Sequence, residues 1–314
     1  MEILDLRHFS SADLRPLLEE EAEVWSRLLS WDYRGSTEMV LRYLDSRILP
    51  GYAAVDRGRV LGYAFFVYEA TKGVVGDMFV SKSVGLPEGA VEEQLLRHSI
   101  ETLQQSPGIR RAEAQLLLHS TGTVATAFLE SGFRRHSRLF MVAELGSAVV
   151  EPAAVNSEIE IRPWMDSDYQ PTAALITQCY GNHIDSEIND QYRSLNGSLR
   201  FLHNIVRFPG CGQFDPESSF VAYNRALRGL VGAILSSRIR YDAGHVTQVC
   251  VLPEYRSHGI GEALMQRTSA ALTQQGLAKL TLTVTQANEG AVHLYERLGF
   301  ATKHVFDAFV WEMS

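Results

Sequence analysis

The 314-residue chain reads as an α/β protein made of two tandem copies of one domain. Three observations predict this. Three sequence blocks recur in the same order at offsets of 155, 170 and 167 residues. Within the blocks, short apolar strand patterns alternate with helix-like stretches, which is the signature of α/β layering. Hydrophobic content of 46% and charged content of 21% are those of a soluble globular protein long enough for two cores.

The first block pairs Arg7, Asp13 and Pro16 with Arg162, Asp168 and Pro171. Each copy is expected to run as a strand (Ile3 to Leu6; Ile159 to Arg162) followed by an Asp-capped helix. Proline in a first helical turn loses little, because its missing N–H would be unpaired anyway. The second block pairs Val60–Phe66 with Leu230–Leu235, an apolar strand after a turn in each copy. In the third, Phe128-Leu129-Glu130-Ser131-Gly132-Phe133 answers Tyr295-Glu296-Arg297-Leu298-Gly299-Phe300. The resulting division is 1–146 for the first copy, 147–157 for a small, polar linker and 158–314 for the second. The rise in offset from 155 to 170 means that the second copy gains 15 residues between Tyr180 and Ser219. That segment is rich in Tyr, His, Asn and Gly, among them Tyr180, His183, Asp185, Tyr192, His203, Cys211 and Gln213.

Charge and cysteine usage narrow the function classes. The net charge of −8 is shared equally between residues 1–150 and the remainder, so no basic face invites nucleic acid. An acidic balance is mildly favourable to a cationic amine. Cys179, Cys211 and Cys250 have no metal-ligand spacing and cannot all pair, which suits reduced thiols in the cytoplasm and no bound metal. The acidic N-terminus lacks the order of a signal peptide, and no apolar run approaches the roughly 20 residues of a membrane span.

The most informative stretch is His245–Ala263, HVTQVCVLPEYRSHGIGEA. Val246, Val249 and Val251 suit a strand that Leu252-Pro253 ends, since proline cannot donate to a ladder. Arg256-Ser257-His258-Gly259-Ile260-Gly261 follows, and then a helix-like run from Glu262 to Gln275. Strand, glycine turn and helix outline an anion site: glycines let backbone N–H groups approach an oxyanion, and a helix N-terminus adds partial positive charge. A plain tight turn is the alternative, and the Lys-Ser/Thr of a P-loop and the third glycine of a dinucleotide fingerprint are both missing.

The arrangement V-x-V-x-P-x-Y-R-x-x-G-x-G resembles the acyl-CoA pyrophosphate loop of the GNAT superfamily of N-acetyltransferases, whose pattern Arg256, Gly259 and Gly261 match. A second stretch, Asn288-Glu289-Gly290-Ala291-Val292-His293-Leu294-Tyr295-Glu296-Arg297-Leu298-Gly299-Phe300, is similar to the family's other signature at every defined position. The resemblance covers residues 158 to 314 well. It implies two GNAT-like domains, each a mixed, largely antiparallel central sheet flanked by helices.

Acetyl transfer from a thioester to an amine needs a held donor, a polarised carbonyl, a neutral amine and a proton for the leaving thiolate. On the resemblance, Arg256, Ser257, His258, Gly259, Ile260, Gly261 and Glu262 hold the pyrophosphate of acetyl-CoA, their backbone N–H groups doing most of it. The backbone of Val249 and Val251 pairs with the pantetheine arm and polarises the carbonyl. Asn288 bonds the donor, caps the next helix, or does both. Tyr295 is the general acid, with a core aromatic as the other reading. His245, at the head of the strand, stands where some histone-acetylating relatives carry a base glutamate; Asp242 and a backbone-held water are its rivals. The inserted segment covers the acceptor amine, unless it is only a longer surface loop.

The first copy departs from the pattern at these positions. After Asp77-Met78-Phe79-Val80 comes SKSVGLPEGAVEEQLL, which lacks the Arg-x-x-Gly-x-Gly and places Pro87-Glu88 where phosphates would lie. Phe128 replaces Tyr295, and Thr121 stands opposite Asn288. The expectation is therefore a degenerate, non-catalytic first copy. The second copy would acetylate a small-molecule or peptide amine by direct attack in a ternary complex, with no nucleic-acid or membrane partner and an oligomer compatible with the sequence. A non-catalytic acyl-CoA sensor is the alternative of a different class, and binding of another nucleotide at the glycine loop is a third.

Overall fold

Side chains that alternate across a strand decide which face each helix covers, and the first half of the chain illustrates it. In the computed structural model, which describes residues 1–82, 89–146, 155–208 and 212–313, the elements of this half are β1 (Glu2–Asp5), α1 (Ser11–Leu29), α2 (Arg34–Asp45), β2 (Gly51–Asp56), β3 (Arg59–Glu69), β4 (Lys72–Val80), α3 (Ala90–Gln105), β5 (Arg111–Gln115), α4 (Ala125–Glu130) and β6 (Arg134–Glu144). Ala53, Tyr63 and Phe79 pack under Leu14, Leu17 and Leu18 of α1 and Val40, Leu41 and Leu44 of α2. Their strand neighbours Ala54, Ala64 and Met78 meet Leu95, Leu96, Ile100 and Leu103 of α3 on the other face. Pro87-Glu88, Cys211 and residues 147–154 of the expected linker lie outside the described residues.

The second half repeats the order with additions: β7 (Ile159–Pro163), α5 (Tyr169–Tyr180), α6 (Asp185–Ile188), α7 (Leu195–Arg207), β8 (Gln213–Phe214), β9 (Phe220–Asn224), β10 (Gly229–Arg240), β11 (Ala243–Val251), α8 (Ile260–Gln274), β12 (Lys279–Thr285), α9 (Glu289–Arg297) and β13 (Ala301–Glu312). The extra residues of the second copy are α6, a 3-10 turn at Asp190–Arg193 and β8. Asp13 is not the cap of α1, as the sequence suggested, whereas Asp168 does stand at the N-cap of α5, though its carboxylate makes no cap bond there. Ser10 caps α1 and its backbone N–H donates to Asp13, three residues on, at 2.8 Å; Asp168 accepts from the Met165 N–H at 2.9 Å and is clamped by Arg162.

Two units emerge, Met1–Arg138 with His304–Ser314, and Leu139–Lys303. The first carries strands in the order β1-β2-β3-β4-β5-β13, the second β6-β12-β11-β10-β9-β7 with β8 paired to β10. β4–β5 and β11–β12 are parallel, whereas β1–β2, β2–β3, β3–β4, β5–β13, β7–β9, β8–β10, β9–β10 and β10–β11 are antiparallel. The last strand therefore belongs to the first unit, unlike the contiguous division at 146 and 158. Packing explains it: β13 pairs β5 from Ala308↔Gln115 to Glu312↔Arg111, and Phe309 stacks on Phe128 with centroids 4.1 Å apart. The similarity between the copies reports which strand each element is, and cannot report which sheet it joins.

Both units carry the same irregularity. The register of β3 with β4 slips so that Gly76 is an extra residue, and that of β10 with β11 slips at Thr247. Aligned through Gly62↔Val80 and Gly232↔Val251, these two bulges coincide. A bulge bends its strand away from the neighbour on the far side. Accordingly β11 stays paired to β12 only from Ala243↔Lys279 to Val246↔Leu282, and β4 to β5 only from Lys72↔Arg111 to Val75↔Ala114. Beyond those points a cleft opens in each sheet.

Candidate active site

The glycine loop forms the end of the cleft in the second unit. Leu252 closes the strand by donating to Val231 O at 2.9 Å, and Pro253–Tyr255 makes one 3-10 turn. Ser257 (φ 62°) and Gly259 (φ 76°) then adopt left-handed backbone, which glycine takes without strain and which turns successive N–H groups to one side. Gly259 caps α8, its carbonyl accepting from the Ala263 N–H at 2.9 Å. The N–H groups of Ile260, Gly261 and Glu262 are first-turn donors with no partner inside the helix. Ile260 buries its side chain, so only its backbone faces the loop. Gly232 on β10 admits α8: a Cβ there would lie 3.2 Å from Ile260 Cγ2. His258 Nδ1 lies 2.7 Å from the Arg256 carbonyl, and Glu262 stands 3.9 Å from Arg297.

Arg256 is bonded within the protein. Its Nε donates to Val251 O at 3.2 Å and its Nη2 to Cys179 O at 3.1 Å. The guanidinium thus ties the end of α5 to the end of β11, because the departure of β12 leaves a strand carbonyl open.

The backbone of Val249 and Val251 turns away from β10. Leu252 bonds to β10, and in an antiparallel ladder the hydrogen-bonded residues alternate. Cys250 therefore pairs with Ala233, while the N–H and C=O groups of Val249 and Val251 turn toward the cleft. The Tyr180 hydroxyl donates to Val249 O at 3.1 Å. The Cys250 side chain is buried on the opposite face from its neighbours. A hydrogen bond to Cys179, and then burial, pushes its thiol well above the usual range.

Tyr295, on α9, is buried, and its phenol is raised by desolvation and secondarily by the Asp185 charge. It also packs 6.0 Å from Phe300. Asn288 caps α9, its Oδ1 accepting from the Ala291 N–H at 3.4 Å, while its Nδ2 lies 3.4 Å from His183 Nε2. Asp185 accepts a short hydrogen bond from the Thr285 hydroxyl at the last residue of β12. The inserted segment thus reaches both cleft walls, β11 through Tyr180 and β12 through Asp185. Tyr192 stacks on Tyr180 (4.6 Å), and its hydroxyl donates to Gln248 Oε1 at 3.3 Å. The Tyr- and His-rich composition flagged this segment; nothing in the sequence singled out Thr285 or Gln248.

His245 is not brought to this group. Its Nδ1 lies 2.8 Å from Thr281 Oγ1 and its ring stacks on Phe140, centroids 6.1 Å apart. It sits in the paired part of β11, opposite Thr281, four residues before Thr285 and Val249. At about 3.3 Å per residue that is roughly 13 Å short of the cleft. Asp242 is bound by Arg240 at 2.5 and 2.8 Å and lies at the turn, farther still.

In the first unit the equivalent positions are filled. Phe128 is fully buried against Phe309 and Phe133, and Thr121 donates to Asp307 at 2.7 Å. At the bulge, Asp77 accepts from Tyr33 at 2.5 Å and from its neighbour's N–H at 2.8 Å, while Glu21 accepts from Tyr63 at 2.6 Å. Both carboxyls are raised by burial.

Residues 184–300 match the family model described as "Acetyltransferase (GNAT) family". A [ribosomal protein bS18]-alanine N-acetyltransferase of Escherichia coli is 30% identical over 81 residues, 26% of this chain and 55% of that protein. A mycothiol acetyltransferase of Gordonia bronchialis is 34% identical over 97 residues, 31% and 32% of the two chains. The chain thus spans about half the length of the first relative and a third of the second. Among solved structures, a GCN5-related N-acetyltransferase from Sphaerobacter thermophilus superposes with TM-score 0.65 at 20% identity, over 92% of this chain and 91% of that one. A tandem GNAT protein from the clavulanic acid biosynthesis pathway gives 0.61 at 14%, over 99% and 98%. The signatures, the cleft they line and these likenesses agree: residues 184–300 are similar to the GNAT acetyltransferase family, and the chain shares the fold of tandem GNAT proteins.

Proposed function

We propose that the second unit is an acyl-CoA-dependent N-acyltransferase that moves an acetyl group from acetyl-CoA to a primary amine by direct attack. The observation that carries this reading is the convergence on one cleft of the α8 N-terminus, the edge of Val249 and Val251 that β12 leaves, and Tyr295. The first-turn N–H groups of α8 and the left-handed turn at Ser257 and Gly259 suit an anionic pyrophosphate. The Val249 and Val251 edge suits an extended amide-bearing arm, which can add to a strand as a peptide does. Arg256 stands beside the loop and shifts toward the phosphates or holds Val251 in place.

The amine nitrogen bonds to the thioester carbon, the carbon–sulfur bond breaks, and Tyr295 gives its proton to the departing sulfur. Desolvation keeps the phenol protonated at neutral pH, and the same dry surroundings raise the basicity of a thiolate formed there. The acceptor's own proton leaves on the acceptor side of the cleft. No cysteine intermediate is needed: the Cys250 thiol is buried and bonded to Cys179, which keeps it protonated. The first unit, with its cleft filled by Glu21, Asp77, Tyr33 and Tyr63, is a non-catalytic partner. Named relatives acetylate a ribosomal protein's alanine or are N-alpha-acetyltransferases, which favours an amine acceptor here as well.

Incubating the chain with acetyl-CoA and a panel of amines, with thiol release as the readout, tests this. Acceptor-dependent release supports the enzyme; tight donor binding without release over every amine would leave the sensor.

A further inference from the structure

A strand carbonyl that faces a neighbouring strand takes a donor from it, and past its bulge β11 has lost β12 as that neighbour. The alternation of the β10 ladder turns the Val249 and Val251 carbonyls toward the side that β12 leaves. Side chains meet both of them. The Tyr180 hydroxyl donates to Val249 O at 3.1 Å. Arg256 Nε donates to Val251 O at 3.2 Å, and its Nη2 to Cys179 O at 3.1 Å. Cys179 and Tyr180 are the last two residues of α5, so one helix end is tied to both carbonyls.

The first unit covers the corresponding carbonyl by other means. Aligned through Gly62↔Val80 and Gly232↔Val251, Met78 stands at the register of Val249, and β4 has likewise parted from β5. There His119, beyond the end of β5, places its Nε2 3.1 Å from Met78 O. The two rings come from different elements, one from a helix end and one from a loop. What the units share is therefore a strand acceptor left by the bulge, and each supplies its own donor to it.

In the second unit these are not core contacts. Val249, Val251 and Tyr180 are half-buried, whereas Gln248 and Cys250 between them are buried, and Arg256 is exposed. A hydrogen bond so placed contributes little net free energy and exchanges for an equivalent one. An extended arm whose amides add to this edge needs the same carbonyl oxygens. Arg256 can give up Val251 O for the phosphates of the same ligand, a stronger partner. The Tyr180 ring is stacked on Tyr192, centroids 4.6 Å apart, and edge-on to His183 at 5.1 Å. That packing keeps its hydroxyl at Val249 O, where the arm has to displace it.

We propose that Tyr180 is a latch on the donor edge: its hydroxyl competes with the pantetheine arm of acyl-CoA for Val249 O and so lowers the affinity for the arm, leaving that for the nucleotide unaffected. This assignment rests on the acyltransferase reading. Because the ring is held by Tyr192 and His183, Tyr180→Phe removes one hydrogen bond and keeps the packing.

The test is calorimetric titration of the full chain, wild type and Tyr180→Phe, with two ligands: CoA, and the pyrophosphate-bearing nucleotide of CoA without its pantetheine arm. The expected result is that Tyr180→Phe binds CoA about threefold to tenfold more tightly and the nucleotide as the wild type does. Unchanged nucleotide affinity certifies that the glycine loop and the fold are intact, and Tyr180→Met, equally without a donor, serves if the phenylalanine variant fails that check. CoA affinity that is unmoved or weakened would show that the hydroxyl braces the strand, and overturns the proposal while the acyltransferase reading stands. Equal tightening of both ligands overturns it too, since the effect would then lie at the loop. Failure of the wild type to bind CoA overturns that reading and this one with it.

Discussion

Tyr295 and Phe128 occupy equivalent places, and the difference of one hydroxyl separates a proton donor from a core aromatic. Phe128 is the control that the chain itself supplies: fully buried, stacked and without a proton to give. Tyr295→Phe should therefore keep the fold and the donor affinity while turnover falls by about a hundredfold; an undiminished rate would remove the acid role. His245 leads the other way. Its ring is packed on Phe140 and bonded to Thr281 in the paired part of the sheet, so His245→Asn should leave the acidic limb of the pH–rate profile in place. A flattened limb would return proton removal to His245. These residues mark what was legible at this scale. Tyr295, Asn288 and the loop glycines could be found because their spacing is local and fixed by one turn of helix. Gln248 and Thr285 could not, because their neighbours come from a segment some 60 to 100 residues away and the strand pattern treats them as ordinary polar positions.

The glycine loop and the bulged strand are the elements that set the chemistry. Gly261 has a negative φ and open surroundings: an added Cβ would meet Leu294 Cδ2 at 3.6 Å and Val251 Cγ2 at 3.9 Å, ordinary contacts. Gly261→Ala should thus be tolerated. Gly261→Glu should abolish donor binding by putting negative charge at the helix N-terminus where phosphates bind. In the first unit the same bulge holds a carboxyl pair instead. Burial raises both Glu21 and Asp77; each is also influenced by the other, Glu21 further by Tyr63 and Asp77 by Tyr33. Their folded-state values lie above those of the unfolded chain, so their contribution is fully present below the ordinary carboxyl range and declines as pH rises through the folded values. Thermal stability of the first unit should accordingly decline as the pH is raised above the ordinary carboxyl range, about 4. Asp77→Asn should flatten that decline, and an unaltered slope would show that the pair does not share the burden. Sequence alone could see the missing glycine loop of this copy; the buried pair needs the fold, since Glu21 and Asp77 lie 56 residues apart.

Across the whole chain, neither unit is simply one copy of the repeat, because the first takes in His304–Ser314 from the far end. Block similarity revealed the repeat, the order of elements and the extra residues of the second copy. It could not reveal that β13 joins the first sheet, because each copy ends in the same strand type and only packing decides its partner. Phe309 lies in the first unit's core, so Phe309→Ala should cost roughly 3–5 kcal/mol there. A fragment of residues 1–146 should fail to melt cooperatively; a sharp transition in that fragment would restore the contiguous division. The repeat also states the functional asymmetry: one cleft open beside a helix N-terminus and a phenol, the other closed by its own carboxyls and aromatics. Calorimetric titration of the full chain with acetyl-CoA tests that claim most directly. One site per chain, lost in Gly261→Glu, is the predicted result; two sites, or one that survives the substitution, would contradict it.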